Sequence, residues 1–448
     1  MIPAILDKER NSPMWPTDIR PPRRLWTLVL TTLAVCAGSG CKSPETGPVL
    51  PITPNDFLAA AAPTFVTATL GDDAADARVR GQAELVRELL FPKSTLVTDV
   101  EAASTWPEHP VVYGGPHVNA LMRDLAPGLP FVMDAAHLAI GDLDLKGDSY
   151  QLVTVLPARS ESPSHPEMLL YAGTGPVGVA EINAIGRGND AILVADVFGP
   201  LHTGRWVRAA DGTVKAKLGP AGRRIAWRDV SRAGAAGTTI YRFPAELAAA
   251  ADESDLIDAA QRGLEQAVVM LEMKSPPPLT IYVHPDVRSK QALTGNAGDG
   301  HAIPGARALH IVARSPVSVL TSLVAHEATH ILAYAAYGAA GTPLLGEGLA
   351  VWVSGQYGGG SLDNWEQSLG KHPSLRDMLG PIFRKTAERV AYPSAGLLVK
   401  TAVELVGREA VTTHLYGATA STWDTACRAA GTTSDLIEQA LARRLERP

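Results

Sequence analysis

The sequence predicts two folded units in series, a smaller α/β domain and then an α+β domain, and three observations predict them. Helical and strand patterns alternate from about residue 61 to 225. A stretch rich in Gly, Ala and Arg follows. Beyond it an amphipathic helix leads into Pro-bounded strands and two strongly apolar helical segments. A chain of 448 residues with 46% hydrophobic content has material for two or three such cores.

In the first unit, "DARVRGQAELVRELL" has helical periodicity, while "HPVVYGG", "YQLVTVLP", "EMLLYAG" and "AILVADVF" are apolar runs of strand length. The segment "VVYGGPHVNALMRDLAPGLPF" reads as strand, Gly-rich turn and helix. It lacks the spacing of a dinucleotide or P-loop motif, so a tight turn accounts for its glycines better than a phosphate cradle does. The segment is similar to a Rossmann-like module that stands beside catalytic domains in some exported bacterial hydrolases. His117 and His137 are lone histidines, expected at the surface or as satisfied core groups. The breaker-rich stretch Gly219 to Thr239 places a linker at 226–237 and the second domain at 238–448.

Ahead of both units, Arg20, Arg23 and Arg24 precede an apolar run, Leu25 to Val35, which ends in the small residues "AGSGC". The run is too short to span a bilayer, and its order is that of an export signal over residues 1–41. The ending resembles the lipobox of bacterial lipoproteins, although Gly38 stands where Leu is usual. The resemblance implies a lipid on Cys41, a polar tether over 42–60, and a protein held at the cell envelope through its N-terminal lipid. An ordinary cleaved signal, giving a secreted protein, and a single-pass anchor are the alternatives. With Cys36 removed and Cys41 lipidated, Cys427 is left without a disulfide partner. A net charge of -6 with acid and base well mixed, and no basic stripe, argues against a nucleic-acid partner.

Chemistry concentrates in "LVAHEATHILAYAAYG", Leu323 to Gly338. Residues i and i+4 of a helix share a face about 6 Å apart along the axis, so His326 and His330 can address one ion. Glu327 lies at the edge of that face, placed to take a proton from a water at the ion. A catalytic zinc needs a third protein ligand. The following "GAAGTPLLGEGLAVWVSGQY" offers breakers, Thr342 as N-cap and Pro343 at the first helical position, which puts Glu347 about one turn into a second helix.

These two segments together resemble the gluzincin metallopeptidases, in particular the peptidase MA-like group with its EGxA signature. "PPLTIYVHPDVRSKQALTG", "GHAIPGARALHIV" and "AYPSAGLLVKTAVELVG" resemble that group's flanking segments, so the likeness covers about 240 to 448. It implies an α+β zincin-like domain with one zinc ion on His326, His330 and Glu347, Glu327 as general base and acid, and a peptide or protein substrate. Two departures stand out. Leu344 and Leu345 replace the aromatic residue that often precedes the signature, and Val351 replaces an acid found four residues after the glutamate ligand in some gluzincins. Tyr392 resembles the phenol that stabilises the oxyanion in some members; His301 and His310 are alternative donors. The rival to an exported zinc metallopeptidase is a non-catalytic surface lipoprotein or peptide-binding assembly factor with a structural metal.

The N-terminal reading makes a direct prediction. Mass spectrometry of the mature protein should find a lipidated N-terminal Cys41, and Cys41→Ser should release the protein from membranes; an unmodified N-terminus elsewhere defeats it.

Overall fold

A computed structural model describes residues 52–445, apart from 70, 72, 160–164, 176–177, 179–189, 197, 210, 221–224, 235–236, 246–252, 314–316 and 370–372. Residues 1–41, with Cys41, lie outside the described residues. The chain is a mixed α/β protein with several sheets. Among the described residues no helix is long and apolar enough to cross a membrane.

Strands β1 (Thr64–Thr67), β2 (Thr95–Thr98), β3 (Pro110–Tyr113), β7 (Tyr150–Leu156), β8 (Met168–Gly173), β9 (Ile192–Asp196), β10 (Gly199–Arg208) and β11 (Val214–Leu218) form one eight-stranded sheet. A separate three-stranded meander of β4 (Phe131–Asp134), β5 (His137–Ile140) and β6 (Leu143–Lys146) packs nearby. The large sheet runs β11-β10-β9-β7-β8-β3-β1-β2. It is parallel only in β2-β1-β3-β8 and antiparallel from β8 to β11. The reason is connection length: β9 to β10 and β10 to β11 are joined by turns, whereas a parallel crossover needs a dozen residues or more. In the central strands β3, β7, β8 and β9 both faces are buried, which accounts for their apolar runs without alternation. Val66, Val112 and Leu170 face the meander, and Phe65, Val111 and Leu169 face the helix Asp73–Leu90.

Two boundaries move. The expected tether to residue 60 ends earlier, because Thr53 and Asp56 form a reciprocal capping box that starts a helix at Pro54–Ala60. That helix docks Phe57, 1% exposed, against the sheet core and stacks it on His109 at 3.7 Å. The expected 226–237 linker is largely strand β12 (Trp227–Gly234), paired antiparallel along its length with β13 (Gly237–Pro244). An edge strand that is half exposed needs no apolar run, so its Arg, Asp and Ser residues conceal it.

The second sheet has the order β12-β13-β14-β16-β15, with β14 (Thr280–His284), β15 (Gly300–Ile303) and β16 (Ala308–Val312). Strand alternation gives its faces different work. Ile281, Val283, Leu309 and Ile311 join the core formed with the helices Glu253–Met270 and Val317–Tyr337. On the other face Arg242, Tyr282, His310 and His301 stand in register across β13, β14, β16 and β15. The Arg242 guanidinium donates to the Tyr282 hydroxyl at 2.6 Å, Tyr282 stacks on His310 at 4.6 Å, and His310 stacks on His301 at 4.8 Å. His284 Nε2 and His310 Nδ1 are hydrogen-bonded at 2.9 Å. Phe198, from the turn after β9, and Trp227 cover this ladder.

His284 Nδ1, His301 Nδ1 and His310 Nε2 are buried without a hydrogen bond among the described residues. Burial, assisted by the charge on Lys290, lowers the His284 pKa to about 4 and holds His301 and His310 well below their ordinary value. As the pH falls below about 6.5 the unfolded chain therefore takes up protons that the folded chain refuses, so stability present above that pH is lost on the way to pH 4. The folded chain should therefore be less stable at pH 5 than at pH 7. Melting curves in excess chelator, to exclude metal loss, should show this slope, and His301→Phe should flatten it.

Candidate metal centre

The HEATH helix, Val317–Tyr337, is core on one side: Leu320, Val324, Ala328, Ile331 and Leu332 are fully buried. His326 and His330 occupy the less buried stripe, with their rings 5.1 Å apart and nearly perpendicular. Gly338, at φ +81°, closes the helix by donating its amide to Tyr334 at 3.0 Å. The next helix, Pro343–Ser354, begins where the sequence places it, with the Thr342 hydroxyl accepting from the Leu345 amide at 3.4 Å and Pro343 at the first position.

This short reversal brings His326, His330 and Glu347 together. One ligand atom from each lies within 4.8 Å of the others. Glu347 is 6% exposed, and its Oε2 stands 3.3 Å from His326 Nε2 and 3.5 Å from His330 Nε2. Both imidazole nitrogens thus converge on this one carboxylate oxygen. Two imidazole nitrogens and one carboxylate oxygen match a zinc donor set that leaves a position open. Burial by itself would raise the Glu347 pKa, but His330, His326 and Arg384 outweigh it and hold the carboxyl well below its usual range. The residue is thus kept as a carboxylate, the form a cation needs.

Glu327 is 8% exposed and lies against the edge strand. A Cβ on Gly300 would come 3.0 Å from Glu327 Cγ and 3.1 Å from Oε1, so the absent side chain on β15 makes room for this carboxylate. Lys290, fully buried, donates to Asn296 Oδ1 at 2.8 Å; burial lowers its pKa to about 8 against the opposing pull of Glu327 and Asp299.

Tyr392 is in the long helix Glu388–Val406, 5% exposed and stacked on Tyr357 at 4.9 Å. Burial, then the nearby Glu347 charge, push its pKa well above the ordinary value, so the phenol keeps its proton. The alternatives His301 and His310 do not serve as donors to this centre. They share the sheet face opposite Leu309 and Ile311, which pack toward the HEATH helix, and a strand cannot present both faces to one helix. His137 lies at the surface with Asp144, whereas both ring nitrogens of His117 are buried without a hydrogen bond among the described residues.

Three contributors were not visible as sequence motifs. Gly300 and Lys290 act through strand and helix neighbours distant in sequence. Arg384, on the four-residue helix Ile382–Lys385, approaches Glu347 Oε1 at 3.7 Å from 37 residues downstream. No periodicity marks it. Val351, at the position that is acidic in some gluzincins, is fully buried and packs at Gly396 in the helix of Tyr392.

No family model and no curated protein matches the chain. Among solved structures it is similar to an M1 zinc metallopeptidase from Deinococcus radiodurans, at 14% identity over 55% of this chain and 60% of that one, with a TM-score of 0.28. A mutant two-domain M1 zinc metallopeptidase bound to L-arginine matches at 14% identity over 57% of each chain, TM-score 0.27. An aminopeptidase N family protein from Idiomarina loihiensis matches at 11% identity over 66% of this chain and 47% of its own, TM-score 0.25. The chain thus spans about half to three-fifths of their lengths. At overlaps this shallow the likeness assigns neither fold nor activity.

Gly348, in the same signature as Glu347, lets the helices of Glu347 and Tyr392 approach: a Cβ there would lie 2.6 Å from the Ala395 carbonyl oxygen and 2.9 Å from Val399 Cγ2. Gly348→Ala should therefore cost about 1–3 kcal/mol by overpacking. A fall in melting temperature with weakened zinc binding is expected; an unchanged melting temperature would refute the close packing.

Proposed function

We propose that this chain is an exported zinc-dependent metallopeptidase, anchored at a bacterial envelope through a lipid on Cys41, which hydrolyses peptide bonds. The observation that supports the activity most strongly is the convergence of His326, His330 and Glu347 with Glu327 one residue beyond the first histidine. The envelope location rests on the N-terminal sequence pattern.

His326, His330 and Glu347 would hold a zinc ion, which when bound would supply Lewis acidity to a water and to the scissile carbonyl. Glu327 accepts the water proton and later delivers it to the leaving amine, acting as base and then acid. Its position against the side-chain-free Gly300 confines the carboxylate beside the edge strand, where an extended peptide can align. Tyr392, with its proton retained, donates to the oxyanion that develops on the carbonyl. Two glutamates of similar burial therefore take different work, one holding the ion and the other moving a proton.

That division can be measured from zinc content, melting temperature and peptidase rate under identical conditions. Glu347→Ala should lose zinc and some stability. Glu327→Gln should keep near-stoichiometric zinc and fold normally while turnover falls by about two to four decades. Loss of zinc in Glu327→Gln, or full activity in an assay that chelator abolishes for the wild type, defeats the assignment of general base. Stoichiometric zinc in a wild type that cuts no peptide favours the non-catalytic alternative.

A further inference from the structure

We infer that Arg384 is a positioning residue of the metal centre, one guanidinium that holds the outer oxygen of Glu347 and the hydroxyl of Tyr392 in a common frame. The inference rests on the metallopeptidase reading and extends it to a residue that no motif includes.

Three observations support it. Arg384 Nη2 stands 3.7 Å from Glu347 Oε1, the oxygen turned away from the histidines, while Oε2 is the one that meets the imidazole nitrogens. Arg384 Nη1 donates to Tyr392 Oη at 3.4 Å. The guanidinium is drawn inward, with its side chain 21% exposed and Nε buried without a hydrogen bond among the described residues. A planar cation with donors on separate nitrogens can serve two acceptors at once, which the point charge of a lysine does less well.

The two contacts have separate consequences. Attraction of Oε1 orients the carboxylate so that Oε2 alone addresses the ion, leaving a coordination position for water and substrate. A hydrogen bond accepted by the phenol oxygen leaves the Tyr392 O–H as a donor, directed elsewhere than at Arg384. Glu388, first residue of the helix that carries Tyr392, accepts from the Tyr357 hydroxyl at 3.5 Å.

The test uses the full mature chain and the variants Arg384→Gln, Arg384→Lys and Tyr392→Phe. Zinc affinity by competition with a chelating dye, the visible d–d spectrum of the cobalt-substituted protein, kcat and KM separately, and melting temperature of the metal-free form are read for each. Arg384→Gln should weaken zinc binding by about 10–100-fold, alter the cobalt spectrum and lower kcat with KM changed less than about twofold. Arg384→Lys should recover most of the zinc affinity by restoring charge, yet retain the low kcat because the shared geometry is lost. Tyr392→Phe should lower kcat with zinc affinity and cobalt spectrum unaltered. A wild type that binds no zinc overturns the metallopeptidase reading itself. Wild-type zinc binding with an unchanged affinity and spectrum in Arg384→Gln overturns only the role of Arg384. Should Arg384→Gln fail to fold, an Arg384→Lys protein with wild-type kcat overturns it equally.

Discussion

A carboxylate withdrawn from water is the constraint on which the second half of this molecule depends. Glu347 is 6% exposed yet held toward its ionised form, because two imidazoles of the HEATH helix and a guanidinium of a second helix converge on it. An uncompensated buried charge costs several kcal/mol, so the helices cannot separate or rotate without exposing that cost. The turn after Gly338, the Thr342 cap and the small Gly348 are the local devices that bring the glutamate helix to its place. A cation at the convergence point would be held by the carboxylate and both imidazole nitrogens at once.

The five-stranded sheet supports this arrangement by separating its two faces chemically. Its aliphatic face fixes the HEATH helix by close packing, which orients the histidines without polar contacts of its own. Its other face carries the Arg242–Tyr282–His310–His301 ladder, covered by Phe198 from the turn after β9 and Trp227 from the edge strand. Neutral stacked imidazoles are compatible with that dry environment, whereas imidazoliums are not. Near the edge, Gly300 carries no side chain, and this leaves Glu327 its space while its neighbour His301 completes the ladder. One four-residue strand thus serves both the candidate centre and the interior.

Much of the centre was legible because it is encoded locally. The i, i+4 spacing of His326 and His330 follows from helical geometry alone, and Thr342-Pro343 marks the start of the glutamate helix through its own capping chemistry. Strand β12 was obscured because it is a half-exposed edge strand with few apolar residues, and the helix at Pro54 because seven residues are too few to show a helical period. The antiparallel half of the large sheet was likewise hidden, since strands buried on both faces read alike whichever way their neighbours run.

By itself, then, the sequence determined which residues can share one helical face, where the two adjacent helices begin and end, and that a carboxylate follows within reach of two histidines. These are short-range properties, set by backbone periodicity, capping and turn residues. Tertiary structure alone decided that Arg384 meets Glu347 and Tyr392, that Gly300 abuts Glu327, and that His301 and His310 face away from the HEATH helix. Such contacts join segments tens of residues apart. They depend on strand order and register, and a one-residue change of register would have turned those same histidines toward the helices.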